Sequence, residues 1–171
     1  IKNNQEISKS PSRTEIINFL LSLYQEETTY LEIGVRNPED NYNHIKADTK
    51  YSVDPGVEFK GNPVNFKMTS DAFFQKLSAN EILSDKIKFD VIFIDGSYAY
   101  DVCYSDLINC KNLAHKDTIV IMDDVTNAGN EAYNKGPSKA WKDCIAQNII
   151  VESGHFEFNQ WRGMSIGRYI L

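Results

Sequence analysis

Phe89-Asp90-Val91-Ile92-Phe93-Ile94-Asp95-Gly96-Ser97-Tyr98 is almost wholly apolar until it breaks at an acid, and Thr118-Ile119-Val120-Ile121-Met122-Asp123-Asp124-Val125 repeats that pattern further on. Uninterrupted apolar runs of this kind suit strands buried on both faces of a parallel sheet. Between them Tyr100, Cys103, Leu107, Cys110 and Ala114 recur at helical spacing, so the unit reads strand–helix–strand. Both strands then point the same way, and their carboxyl ends lie side by side. Asp95, Asp123 and Asp124 therefore gather at one rim of the sheet, where open α/β proteins bind their ligands. Three carboxylates so placed repel one another unless a cation or a substrate proton lies among them.

Upstream of this unit, Ser10-Pro11-Ser12 offers cap chemistry for a helix to about Gln25, with Ile16, Ile17, Leu20 and Tyr24 on one face. Thr28–Ile33 is a first strand that stops at Gly34. Asn37-Pro38-Glu39-Asp40 opens a short helix to about Ile45, and Lys50–Asp54 is a second strand closed by Pro55-Gly56. Val64–Met68 reads as a third strand, and Ser70-Asp71 caps a helix carrying Phe73, Phe74 and Leu77. Downstream, residues 125–137 form a polar loop of a length usually reserved for lids and binding loops. A helix follows from Pro137 to about Gln147, and Ile149–Phe158 with Met164–Leu171 make a closing antiparallel hairpin. The expected fold is α/β: a doubly wound, mostly parallel seven-stranded sheet with a C-terminal antiparallel hairpin. It is one domain over residues 1–171, with a tail and helix (1–27), a ligand-binding core (28–126), and a loop, helix and hairpin (127–171).

The 171 residues are 42% hydrophobic and 25% charged, as in ordinary soluble globules, and their net charge of −6 disfavours nucleic-acid backbones and anionic membranes as partners. No apolar run reaches membrane-spanning length. Cys103, Cys110 and Cys144 lack metal or redox spacing and read as small buried thiols of a reducing cytosol, so a cytoplasmic protein is expected. His44 and His115 read as solvated, His115 at the rim opposite the acids, while Trp141 reads as core. Trp161 could wall a substrate or anchor an interface, and Lys135 could touch a substrate.

In Leu31-Glu32-Ile33-Gly34-Val35 the glycine lets the backbone approach a ligand closely, and Asp54 at the end of the second strand can accept from two ribose hydroxyls. Nicotinamide nucleotides and S-adenosylmethionine can both use this arrangement. A pyrophosphate wants a glycine-rich turn, which is missing here. One glycine with Glu32 before it better suits a ligand with a cationic amino-acid end and no phosphate.

Taken together, Leu31–Val35, Ser52-Val53-Asp54-Pro55, Met68–Phe74 and Phe89–Gly96 resemble the class I S-adenosylmethionine-dependent methyltransferases. The closest resemblance is to a small branch with the phrase F-D-hydrophobic-I-F-I-D-G-x-H-x-Y, and it covers about residues 28–126. It implies that Glu32 and Gly34, with Val35, hold the methionine end of the cofactor and that Asp54 binds the ribose. It further implies that Ser70 and Asp71 edge the adenine, and that Asp95, Gly96 and Ser97 wall the adenosine and the reacting centre. In catechol-type and sugar O-methyltransferases, acids at the positions of Asp95, Asp123 and Asp124 hold Mg²⁺, so the resemblance implies a metal site here. The implied activity is methylation of a small-molecule hydroxyl, of a sugar or other polyol, assisted by that ion. The long loop or a neighbouring subunit, in a homo-oligomer, would complete the acceptor pocket.

One position departs from the pattern. Tyr98 stands where the branch has histidine and where catechol-type enzymes carry a basic residue. Either Tyr98 acts with Asp95 beside the metal, or another residue substitutes, or turnover is lost and the chain only binds its cofactor. A nicotinamide-dependent oxidoreductase is the other enzyme class considered, and the missing glycine-rich turn weighs against it.

Overall fold

The computed structural model describes residues 9–59, 63–84, 86–127, 131–159 and 161–171. Helix α1 (Arg13–Leu21) precedes strands β1 (Thr29–Ile33) and β2 (Thr49–Val53), and α2 (Ser70–Ser78) leads to β3 (Phe89–Ile94). Helix α3 (Tyr100–Lys111), β4 (Ala114–Asp123), α4 (Lys135–Ala146), β5 (Ile150–Asn159) and β6 (Arg162–Tyr169) follow. They build a six-stranded sheet in the order β2-β1-β3-β4-β6-β5, parallel through β4, with β6 and β5 antiparallel.

The apolar runs are explained by the two faces they serve. Val91, Phe93, Ile119 and Ile121 point to one face, where Ile16, Ile17 and Leu21 of α1 cover them. Phe89, Ile92, Ile94, Val120 and Met122 point to the other, under residues of α2, α3 and α4. Cys103, Cys110 and Cys144 are buried free thiols on that second face. Trp141 is buried there too, its indole Nε1 donating to Glu152 Oε2 at 2.6 Å, as its core reading required. His115 meets Asp90 at 2.9 Å at the opposite end of β3 from Asp95, and His44 is exposed. No helix among the described residues is long and apolar enough to cross a membrane.

The structure revises several local expectations. Among the described residues the sheet has six strands, not seven, because residues 64–68 contribute only a single parallel bridge, Val53 to Phe66. Asn65 accounts for this: its side-chain oxygen accepts from both the amide and the hydroxyl of Ser52, which replaces a continued ladder. The expected helix to Ile45 is two 3₁₀ turns, Pro38–Asp40 and Tyr42–His44, broken at Asn41. The side chain of Asn41 is drawn inward, donating to Glu32 and accepting from Thr14, and the backbone turns to let it reach. Helix α1 ends at Leu21, β4 starts at Ala114, and α4 begins at Lys135, which shortens the loop before it. Residues 128–130 of that loop lie outside the described residues.

Candidate active site

Parallel register sets the rim. Ile33 is paired with Ile94 and Ile94 with Met122, so Gly34, Asp95 and Asp123 leave their strands at one level. The amide of Gly34 donates to Val53 O and that of Asp95 to Ile33 O, both at 2.8 Å, which carries the pairing one step past the strands. Gly34 has φ of +87°, a conformation that favours glycine. Above this rim lies a groove of about 290 Å³.

Most of the residues singled out from sequence line that groove. Glu32, Gly34, Asp54 and Ser70 are in its lining, and so are Asp95, Gly96, Ser97, Tyr98, Asp123 and Asp124. Val35 and Asp71 do not line it. Val35 is buried, and its amide donates to Asp54 Oδ2 at 3.0 Å, while Gly56 N–H donates to Asp54 Oδ1 at 2.5 Å. The Asp54 carboxylate is thus aimed by two backbone donors. Asp71 is exposed in the first turn of α2. Trp161 and Lys135 are outside the lining as well.

Glu32 is buried, and Tyr30 Oη and Asn41 Nδ2 donate to its Oε2 at 2.6 and 3.0 Å. Burial outweighs these donors and pushes its carboxyl up to about 7. Tyr30 is driven well above the ordinary phenol value, first by burial and then by Glu32. A cationic ligand group would favour the ionised form of Glu32.

The acid cluster is organised in a way the sequence did not suggest. Arg13, the first residue of α1, places Nη1 at 2.6 Å from Asp123 Oδ2 and 3.0 Å from Asp95 Oδ2. Asp124 follows the strand with φ of +57°, which separates it from Asp123, and its carboxylate pairs with Arg162 at the start of β6. A divalent ion requires several oxygens converging on one point. Here a guanidinium lies between Asp95 and Asp123, and Asp124 is drawn to another. Among the described residues no group of three or more His, Cys, Asp or Glu is placed to hold a metal ion. Asp95, Asp123 and Asp124 as arranged do not fit the Mg²⁺ site the resemblance implied.

Tyr98 stands beside this rim. Its ring meets Tyr133 edge-on at 6.2 Å, and the Arg162 guanidinium lies 4.4 Å from the centre of the Tyr133 ring. Burial, then the Asp95 charge, raises the Tyr98 phenol above its ordinary value, with Arg162 opposing. The hydroxyl keeps its proton at neutral pH, which makes it a hydrogen-bond donor rather than a base. Gly136 in α4 makes this packing possible, since a Cβ there would fall 2.1 Å from the Tyr98 carbonyl oxygen.

Arg13, Arg162, Asn41 and Asp106 were not anticipated. Asp106 on α3 is buried and lines the groove, and burial pushes its carboxyl up to about 6, with Ser70 opposing. Its signal was present in the sequence: an acid in register with Cys103, Leu107 and Cys110 on the stripe that faces the core. Arg13 and Arg162 gave no comparable signal, because their partners are remote in the chain.

Comparison with known proteins decides the family. A model described as a methyltransferase domain matches residues 16–125. The chain belongs to that methyltransferase family. Its fold is that of class I enzymes, as the sequence resemblance implied. An O-methyltransferase from Bacillus cereus in complex with S-adenosylhomocysteine is similar in structure, with a TM-score of 0.60 and 15% identity over 88% of this chain and 79% of its own. The O-methyltransferase TomG from Streptomyces achromogenes, in complex with S-adenosylmethionine, has a TM-score of 0.63 and 12% identity over 98% and 87%. The N-methyltransferase NodS from Bradyrhizobium japonicum has a TM-score of 0.59 and 10% identity over 92% and 94%. At these identities the likeness establishes the fold of this methyltransferase and leaves its acceptor atom open. No curated protein matches it in sequence.

Proposed function

We propose that the chain transfers a methyl group from S-adenosylmethionine to a hydroxyl oxygen of a small molecule, with sugars or other polyols as the favoured class. The observation that carries this reading is a single groove lined both by Glu32, Gly34, Asp54 and Ser70 and by Asp95 and Tyr98. A ligand laid along the first set presents its reactive end to the second. The B. cereus and TomG structures, complexed with S-adenosylhomocysteine and S-adenosylmethionine on the same fold, support the choice of cofactor.

Asp54, aimed by the Val35 and Gly56 amides, accepts from the ribose hydroxyls. Glu32 faces the cationic amino end, Gly34 lets the backbone close on it, and Ser70, which lines the groove, edges the adenine. Gly96 and Ser97 wall the adenosine. In the reaction the carbon–sulfur bond breaks with its electron pair remaining on sulfur, and a carbon–oxygen bond forms. Asp95, whose side chain is partly accessible in the groove, takes the hydroxyl proton, and Tyr98 orients the acceptor oxygen. Most of the acceleration comes from alignment of the reacting atoms. A divalent ion has no part in this proposal, because guanidinium groups engage the carboxylates that would bind it.

The test is titration calorimetry with S-adenosylhomocysteine, followed by transfer of a labelled methyl group to a panel of polyols. Micromolar binding with label in a polyol supports the proposal. Absence of binding overturns it, and label only in amine acceptors overturns the choice of oxygen.

A further inference from the structure

We propose that Arg13 and Arg162 take the place of a divalent cation in this chain, supplying the fixed positive charge that holds the acid rim together. The inference deepens the methyltransferase reading by assigning how its acceptor side is organised.

Four observations converge on it. The Arg13 Nη1 contacts both Asp95 and Asp123, bridging the ends of β3 and β4 where a shared ion would otherwise sit. The groups are deeply buried: side-chain exposures are 8% for Arg13, 2% for Asp123, 7% for Arg162 and 4% for Asp124. A buried carboxylate stripped of its partner is strongly unfavourable, and so is a buried guanidinium. Arg13 is also fixed in place. Ser12 and Glu15 form a reciprocal capping box at the start of α1, and the guanidinium lies 5.5 Å from the centre of the Phe93 ring. A metal entering the rim would have to expel it onto that apolar sheet face.

The fourth observation is charge. Three carboxylates and two guanidiniums leave one net negative charge, which a sulfonium ligand neutralises. A divalent ion that expelled Arg13 would leave this set neutral, with no charge to match the sulfonium. The arrangement has a consequence for the acceptor. Guanidiniums offer no open coordination positions, so the acceptor needs no vicinal pair of oxygens to chelate. A lone hydroxyl suffices.

Mn²⁺ binding, measured by calorimetry and by electron paramagnetic resonance, tests this on the wild type, Arg13→Ala and Arg13→Lys. The wild type is expected to bind no Mn²⁺ at submillimolar concentration, and its affinity for S-adenosylhomocysteine is expected to change less than twofold between EDTA and Mn²⁺. Arg13→Ala frees Asp95 and Asp123 and should gain Mn²⁺ affinity at least tenfold over wild type. Arg13→Lys keeps the charge and should not. Tight Mn²⁺ binding by the wild type, abolished by Asp123→Asn, overturns the proposal even if Arg13→Ala does not fold. A folded Arg13→Ala that gains nothing also overturns it. The metal readout needs no cofactor, so failure of cofactor binding would count against the methyltransferase reading alone.

Discussion

A Cβ on Gly34 would lie 2.1 Å from the carbonyl oxygen of Asp95. The two residues continue β1 and β3 past their last paired positions, and the closeness of their backbones sets the floor of the groove. Gly34→Ala adds both this collision and an unfavourable positive φ. We expect a loss on the order of 2–4 kcal/mol in urea unfolding, with no binding of S-adenosylhomocysteine. Gly154→Ala is the control: a Cβ there meets nothing within 4 Å, and stability should change by no more than about 0.5 kcal/mol. Equal effects of the two substitutions would remove the collision as the cause.

Asp54→Ala deletes the proposed ribose acceptor. Hydrogen bonds to a charged group contribute about 1.5–3 kcal/mol each, so affinity for S-adenosylhomocysteine should fall on the order of 100-fold. Calorimetry reads this directly. Unchanged affinity would place the ribose elsewhere in the groove.

Glu32 carries a pH dependence whose sign is fixed by its environment. In the folded chain burial pushes its carboxyl up to about 7, against about 4.5 for an ordinary glutamate. The folded state therefore holds this proton more tightly than the unfolded state. The resulting stabilisation is complete below about pH 4.5 and is lost as the pH rises through about 7, a swing on the order of 3 kcal/mol. Unfolding free energies of wild type and Glu32→Gln, measured from about pH 5 to 8, should diverge towards the alkaline side, with the wild type losing more. Parallel curves would exclude this carboxyl as the source.

Tyr98→Phe separates orientation from proton abstraction. With its phenol raised, Tyr98 donates a hydrogen bond and does not ionise at neutral pH. We expect kcat to fall about tenfold, with cofactor affinity unchanged within about twofold and the shape of the pH–rate profile retained. Disappearance of one limb of that profile would make Tyr98 the base instead.

The sheet was legible in the sequence wherever burial on two faces left an uninterrupted apolar run. Phe89–Ile94 and Ile119–Met122 fall in β3 and β4, and the acids that end those runs do meet at one rim. Legibility failed where a side chain reached across the chain to alter local structure. Asn65 falls inside the expected strand Val64–Met68, and Asn41 inside the expected helix to Ile45. Their partners Ser52 and Glu32 explain why one expected strand shrank to a bridge and one expected helix split. The acid rim shows the same limit. Three aspartates could be found by pattern, but Arg13 lies 110 positions from Asp123, and nothing local marks them as partners.

The way β5 closes the sheet bears on association between copies. As an edge strand it presents unpaired backbone groups to any passing strand. Its pairing with β6 slips between Glu152 and Gly154 and again between Glu157 and Asn159, so it offers no long regular ladder to a newcomer. Exposed Val151 and Phe156 would invite addition, but Glu152, Ser153, His155 and Glu157 separate and flank them. A second β5 laid alongside would bring like charges together across an uneven edge. The irregular hairpin thus acts as a guard against strand-by-strand aggregation, a property independent of the groove at the rim of the same sheet.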